Sequence, residues 1–357
     1  MQNALNWAAR YAVSIARTVG RDWNAFWYTP ADPTLLGFLR VCTGLMLVYT
    51  HAVWGLALND FFGPTSWLSP ALVRSIEAGQ YMYSFWFWVP VQWMWPAYAV
   101  SMLIFVLFML GLWTRVTSVL ALFTAISYAH RVPAALFGLD QINVLLTLYL
   151  SIGPSGQALS LDRWMLRRRL GENTPPLAPS ASANLAQRLI QIHMCVIYLF
   201  AGLSKLQGPS WWSGEAMWRA FANLEYQSLD MTWLAWHPWL VNVMTHVSVV
   251  WEISFCVLIW KPLWRPLVLA GAVLLHMGIG LCLGMWTFGL IMLVGCAAFL
   301  PNEAVRRLAS VFHRREVGAG TDAAHSASRP VRGLARIGRS EAQGEFPAVG
   351  AGARARS

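Results

Sequence analysis

MWPAYAVSMLIFVLFMLGLW, residues 94–113, contains no charged residue and is almost wholly apolar. A helix needs about 20 such residues to cross the hydrocarbon core of a bilayer. The chain holds seven further apolar segments near this length, at 35–57, 115–136, 140–154, 187–206, 240–260, 264–284 and 285–300. The sequence therefore predicts an all-α, polytopic membrane bundle of about eight transmembrane helices, with six as the alternative count.

Composition excludes several classes of protein. Of the 357 residues, 57% are hydrophobic and only 12% are charged, whereas an ordinary soluble domain is about 25% charged. The mean hydropathy is +0.47. These values exclude a soluble globular enzyme and a disordered chain. The net charge of +10 does not indicate nucleic-acid binding, because most basic residues flank apolar runs or lie in the C-terminal tail.

The placement of charge predicts the topology. With a cytoplasmic N-terminus and eight spans, the basic residues outside the cell are only Arg74, Arg131, Lys205 and Arg219. The other basic residues that flank the spans then fall inside, which is the distribution of inner-membrane proteins. The sequence therefore predicts a multi-pass protein of the inner (plasma) membrane with both termini in the cytoplasm.

Three parts are predicted along the chain. Residues 1–29 form a basic amphipathic segment rich in Trp and Tyr, which we expect to lie on the membrane surface. Residues 30–310 form the transmembrane domain, and the Pro/Ser/Ala-rich stretch 171–183 is expected to be a flexible cytoplasmic linker within it. Residues 311–357 hold few large apolar side chains and many Arg, Gly and Ser. This composition predicts a disordered basic tail attracted to anionic lipid.

The choice of basic residue singles out Lys205. Of 26 basic side chains, 24 are Arg, and the only lysines are Lys205 and Lys261. Arginine keeps its proton at any usable pH, whereas a lysine in apolar surroundings can release it. Lys205 lies at the outer end of the fifth predicted span, where positive charge is scarce. It is therefore a candidate general base, and a helix-end anchor that reaches the interface is the alternative.

Two further ionisable residues lie deep in apolar segments, which makes them functional candidates. Glu252 has no polar neighbours in sequence and needs a partner across helices, for which Lys205, Arg40 or His276 are candidates. The alternative for Glu252 is a structural ion pair with Arg40. His276 lies in the middle of its span, where a helix-packing hydrogen bond is the alternative to a catalytic role.

Aromatic loops and a helix-start carboxylate suggest where a ligand binds. The predicted outer loops 59–93 and 207–239 are rich in Trp, including Trp211 and Trp212. They form either an interfacial aromatic belt or a roof over a lipophilic ligand. Asp140 opens the fourth span, either as a helix cap or as part of the outer pocket. The five cysteines stand alone inside apolar runs, so no metal site is predicted.

Several of these motifs occur together in one known family. Ala201-Gly-Leu-Ser-Lys-Leu206 followed by Trp212-x-Gly214 resembles the segment around the catalytic lysine of vitamin K-dependent gamma-carboxylase. More broadly, the chain looks like the horizontally transferred transmembrane (HTTM) domain that this carboxylase shares with short bacterial membrane proteins. Phe38-Leu-Arg40 with Gly44, Ser160-Leu-Asp162, Glu252 and His276 are similar to further family elements in the same order.

The resemblance implies a chemistry for these residues. Lys205 would deprotonate a reduced quinone of the vitamin K hydroquinone type, with His276 and Glu252 orienting or tuning it. Trp211, Trp212, Gly214, Asp140 and Arg40 are then the candidate substrate-binding residues. In the carboxylase the quinol is next oxygenated, and the resulting strong base leads to addition of carbon dioxide to a glutamyl side chain, which is lyase chemistry.

The chain also departs from the carboxylase. It has a basic tail in place of the large domain that holds a protein substrate, and Asp140 and Gln141 stand where the family has an activating histidine. In size it resembles short relatives such as the sporulation-delaying protein B type. Two hypotheses follow. The first is an enzyme acting on a lipophilic small molecule. The second is a non-catalytic membrane protein, either an accessory for maturing or exporting a secreted peptide or a transporter.

Overall fold

The computed structural model describes residues 2–76 and 81–307. Within these ranges the chain is helical and has no strand; one isolated bridge pairs Ala31 with Ser180. The all-α fold class predicted from the sequence is confirmed. The predicted disordered tail, residues 311–357, lies outside the described residues.

Ten longer helices make up most of the described chain. They are α1 (Gln2–Tyr28), α2 (Thr34–Gly55), α5 (Met94–Leu110), α6 (Thr114–Arg131), α7 (Gly138–Ile152), α8 (Leu161–Leu170), α9 (Ala181–Lys205), α12 (Pro238–Leu258), α13 (Arg265–Leu283) and α14 (Trp286–Cys296). Short helices lie in the long loops: α3 (Leu58–Phe62), α4 (Pro70–Ile76), α10 (Pro209–Trp212) and α11 (Ala216–Phe221).

Five helical segments of the described residues are long and apolar enough to cross a membrane. They are Thr34–Gly55, Val91–Leu110, Ala181–Lys205, Pro238–Leu258 and Arg265–Leu283. Large apolar side chains such as Val250, Leu267 and Leu274 are exposed on these helices, as contact with lipid tails requires. The chain is therefore a multi-pass membrane protein.

The count of eight spans stays a prediction. Two more apolar helices, Gly138–Ile152 and Trp286–Phe299, are shorter than a full crossing needs. Helix α6 lies where a further span is predicted. All eight predicted segments are thus helical, and five of them have the length and hydropathy of a span.

Hydrogen bonds gather distant segments at one end of the bundle, which we call the Asp162 end. The Asp162 carboxylate accepts from the backbone N–H groups of Trp113 and Thr114, both at 2.8 Å, at the start of α6. Ala31 pairs with Ser180 at the start of α9, and Asp32 pairs with Arg306. The helices α2 and α5, α6 and α7, α9 and α12, and α13 and α14 therefore run up and down as antiparallel neighbours.

Arg40 is fully buried near the Asp162 end and is held by backbone carbonyls. Its Nη1 donates to the carbonyl of Ser155 at 2.7 Å, and its Nη2 donates to the carbonyl of Leu159. Gly111, with φ of +72°, ends α5 here, and a Cβ on it would lie 2.6 Å from the Arg40 guanidinium. Glycine is therefore required by both the left-handed backbone and the close approach.

Arg131 makes a similar arrangement at the other end of the bundle, which we call the Lys205 end. This fully buried arginine donates to the carbonyl of Leu68 at 2.9 Å and to Ser66 Oγ at 2.8 Å. It thereby fixes the loop between α3 and α4 onto α6. Two aromatic residues of the predicted outer loop 59–93 are buried, with Trp86 packed against Phe62 and Tyr128, whereas Trp67 and Trp88 of the same loop are exposed.

The structure describes two regions that the sequence predicts outside the spans, the N-terminal segment and the linker 171–183. Helix α1 lies where the sequence predicts a basic amphipathic segment, with Trp7, Tyr11 and Trp23 exposed. In the predicted linker 171–183, a short 3-10 helix covers Gly171–Asn173, and α9 begins at Ala181. The domain boundaries and the membrane-surface position of α1 stay predictions.

Candidate functional site

Lys205 and Glu252 form an ion pair between α9 and α12. The Nζ atom of Lys205 donates to both carboxylate oxygens of Glu252. The Glu252 side chain is 6% exposed, whereas that of Lys205 is 24% exposed. The carboxylate thus lies inside the bundle, and the ammonium group lies between it and the surface. Of the three partners considered from the sequence, the structure gives Glu252 the lysine.

The close packing of α9 against α12 places this pair. Gly202 lies at the contact, where an added Cβ would be 2.6 Å from Ile253 Cγ1 and 3.3 Å from Glu252 Cβ. Small residues let membrane helices approach closely. Gly202 therefore sets the spacing at which the lysine reaches the carboxylate, one turn further along α9.

A pair of tryptophans follows Lys205 where the chain leaves the helix. The ring of Trp211 lies 5.1 Å from Lys205 Nζ, within the range of a cation–π interaction. Trp212 is largely exposed, and its indole N–H donates to the carbonyl of Leu206 at 2.7 Å. The first tryptophan therefore belongs to the immediate surroundings of the pair, and the second closes the turn beside it.

Gly214 supports this turn from further along the loop. It has φ of +79°, and its carbonyl accepts a hydrogen bond from Thr245 Oγ1 of α12 at 3.0 Å. Asn242 donates to the neighbouring carbonyl of Ser213 at 3.3 Å. Gly214 thus helps to fix the Trp211–Trp212 segment onto α12, which is a structural role.

A second buried polar group lies beside the ion pair. Tyr198 is 2% exposed, and its hydroxyl lies 2.7 Å from His276 Nε2 and 3.3 Å from Cys296 Sγ. His276 is also 2% exposed, and its Nδ1 has no hydrogen-bond partner among the described residues. One nitrogen of this buried imidazole is therefore paired with Tyr198 and the other is unpaired.

Tyr198 and Cys296 were not among the candidates predicted from the sequence. Tyr198 precedes Lys205 by seven residues, which places both on one face of α9. That spacing is the signal from which Tyr198 could have been found. Cys296 comes from α14, and nothing in the sequence relates it to Tyr198.

Two predicted substrate-binding residues lie apart from the pair. Arg40 is near the Asp162 end and binds the carbonyls of the 155–159 turn, so the alternative ion pair with Glu252 is not formed. Asp140 stands in the first turn of α7, where its Oδ2 accepts from the N–H of Phe137 at 3.2 Å. This is the capping role considered from the sequence. The structure joins Lys205 to Glu252 and Trp211, and His276 to Tyr198.

The arrangement can hold and transfer protons. It combines an amine, a carboxylate, an imidazole and a phenol within one buried region. No group of three or more His, Cys, Asp or Glu side chains able to hold a metal ion occurs in 2–76 and 81–307.

Comparison with known proteins gives one match. The family model described as the HTTM domain matches residues 28–303, a range that includes the ion pair, His276 and Tyr198. No curated protein and no solved structure matches the chain.

Proposed function

Because this chain belongs to the HTTM domain family, we propose that it binds a lipophilic hydroxyl compound of the reduced-quinone type and accepts a proton from it at Lys205. The observation that carries the proposal is the ion pair of the partly exposed Lys205 with the buried carboxylate of Glu252. An ammonium group that is paired with a buried carboxylate can exchange its proton with that carboxylate, as general acid–base catalysis requires.

The proposed proton transfer has two steps. Transfer of one proton from the Lys205 ammonium to the Glu252 carboxylate leaves a neutral amine and a neutral acid. The amine then accepts the proton of the substrate hydroxyl; the O–H bond breaks, an N–H bond forms, and the products are an ammonium group and an oxyanion. The new ammonium group stabilises the oxyanion by its charge.

Neighbouring residues have proposed supporting roles. The ring of Trp211 provides a flat apolar surface over the amine. In this proposal the unpaired Nδ1 of His276 hydrogen-bonds a second polar atom of the substrate, while Tyr198 pairs with the other ring nitrogen. Arg40 and Asp140 are not part of this proposed site, because their contacts lie elsewhere.

Replacing Lys205 with arginine tests the base. Arginine keeps the positive charge and the pairing with Glu252 but cannot release a proton. The probe is a reduced naphthoquinone in proteoliposomes, whose oxidation by dissolved oxygen speeds up once the hydroxyl is deprotonated. We expect Lys205→Arg to lower the protein-dependent rate at least about 100-fold, the usual size of a general-base contribution.

Lys261→Arg is the matched control, because Lys261 is the only other lysine and lies at the far end of α12, between α12 and α13. It should leave the rate unchanged. Equal rates for wild type and Lys205→Arg would disprove the base and favour the second candidate, a non-catalytic accessory for an exported peptide. The observation that favours this second candidate is that Lys205 and Glu252 already satisfy each other.

The proposed location is the inner membrane, with the Lys205 end outside. Among the basic residues that flank the predicted spans, only Arg74, Arg131, Lys205 and Arg219 fall in the predicted outer segments, and cytoplasmic segments are the ones that carry an excess of basic residues. A fusion of alkaline phosphatase after residue 307 should be inactive, and a fusion of a fluorescent protein at the same position should be bright. The opposite pair of results would place the Lys205 end in the cytoplasm.

A further inference from the structure

A small cavity lies between α2, α6 and α7, apart from the ion pair. Its volume is about 10 Å³, and its lining includes His51, Tyr128, Asp140 and Asn143. An internal cavity needs about 10–15 Å³ of this kind to hold one water molecule. The cavity therefore has room for a single water and for nothing larger.

Asn143 provides the strongest sign of a missing partner. This residue is 2% exposed, and neither its Oδ1 nor its Nδ2 has a hydrogen-bond partner among the described residues. Because both amide atoms are unpaired, exchanging their assignment does not remove the problem. Burying a side-chain amide without partners is unfavourable, and an ordered water commonly supplies the missing hydrogen bonds.

His51 offers a second hydrogen-bonding atom to this cavity. It is 6% exposed, and its Nδ1 lies 2.8 Å from the carbonyl of Leu47. A carbonyl can only accept, so Nδ1 carries the proton in the neutral ring and Nε2 is an acceptor. The Asp140 carboxylate uses Oδ2 to cap α7 and keeps further acceptor capacity.

We propose that this cavity is a binding site for one ordered water molecule, held by Asn143, His51 and Asp140. The water accepts from the Asn143 amide and donates to the imidazole and to the carboxylate, which gives the two to four polar partners that a buried water requires. It thereby links His51 of α2 to Asp140 and Asn143 of α7. This site does not depend on the proposed function of Lys205.

Radiolytic labelling in water enriched with oxygen-18 tests the site in the unmodified protein. Hydroxyl radicals formed from a bound water label the side chain next to it. Tyr128, which is 3% exposed and lines the cavity, should carry the heavy oxygen several-fold more than Tyr198, which is 2% exposed and has protein partners. Equal labelling of these two tyrosines would overturn the proposal.

The Asn143→Leu variant should change the melting temperature in opposite directions for a water-filled and an empty cavity. If the water is present, leucine expels it, leaves His51 and Asp140 without that partner, and lowers the melting temperature by about 2–4 °C. If the cavity is dry, leucine removes an unsatisfied amide and raises the melting temperature. Asn143→Ser is the control, because serine provides a hydroxyl group and leaves space for the water. This variant should retain the labelling of Tyr128. Loss of labelling in both the leucine and the serine variant would contradict the proposal.

Discussion

Glu252→Gln is expected to destabilise the folded bundle by about 3–5 kcal/mol, because it leaves the ammonium group of Lys205 without its counter-charge in a largely buried position. Glutamine keeps the size and the hydrogen-bonding oxygen, so the loss reports the charge. Thermal unfolding of the purified protein in detergent measures the effect as a lowered melting temperature.

Two controls separate the buried pair from charge in general. Lys205→Met combined with Glu252→Leu removes both charges and should recover most of the stability, since a buried ion pair can be replaced by apolar residues at little cost. Glu215→Gln breaks the exposed pair with Arg219, whose side chains are 57% and 68% exposed, and should cost less than about 1 kcal/mol. A double variant as unstable as Glu252→Gln would show that shape, not charge, holds the helices there.

Arg40→Met is the second substitution with a large expected effect. Methionine fills a similar volume but leaves the carbonyls of Ser155 and Leu159 without their donor inside the bundle. Each hydrogen bond to a charged group contributes about 1.5–3 kcal/mol, so the loss of two predicts about 3–6 kcal/mol. Pulse proteolysis across a denaturant series would measure it.

Arg40→Lys and Arg17→Met are the comparisons for this substitution. Lysine keeps the charge but lacks the fork that reaches two carbonyls at once, so an intermediate loss is expected. Arg17 is exposed on α1, and its replacement should change stability by less than about 0.5 kcal/mol. If Arg40→Met unfolds like the wild type, the 155–159 turn is held by other contacts.

The sequence predicted the helices well and their contacts only in part. Apolar runs identify membrane helices directly, because a helix that crosses the bilayer needs about 20 consecutive apolar residues. The ion pair is different, because 46 residues separate Lys205 from Glu252 and no local period relates them. The sequence therefore left three partners open for Glu252, and the packing of α9 on α12 selected one.

Arg40 and Asp140 are residues that the sequence predicted for the site and that have structural roles elsewhere in the bundle. An ionisable residue in an apolar run is a functional candidate by composition, but composition does not tell a ligand from a backbone carbonyl. The partners of Arg40 are carbonyls in the 155–159 turn, far from Arg40 in the sequence. Residues of this kind can be assigned only after the loops have been placed.

The position of Arg40 has a consequence for how the protein is made. Its carbonyl partners lie 115–119 residues later in the chain, so the first membrane helix leaves the ribosome long before they exist. At about 5–20 residues per second, a guanidinium group in α2 waits roughly 6–24 seconds for its acceptors. During that time the guanidinium group needs other hydrogen-bond acceptors, such as those of the insertion machinery or the lipid headgroups. Early release into the bilayer core would favour degradation, and the speed of synthesis through residue 159 therefore becomes part of how this bundle assembles.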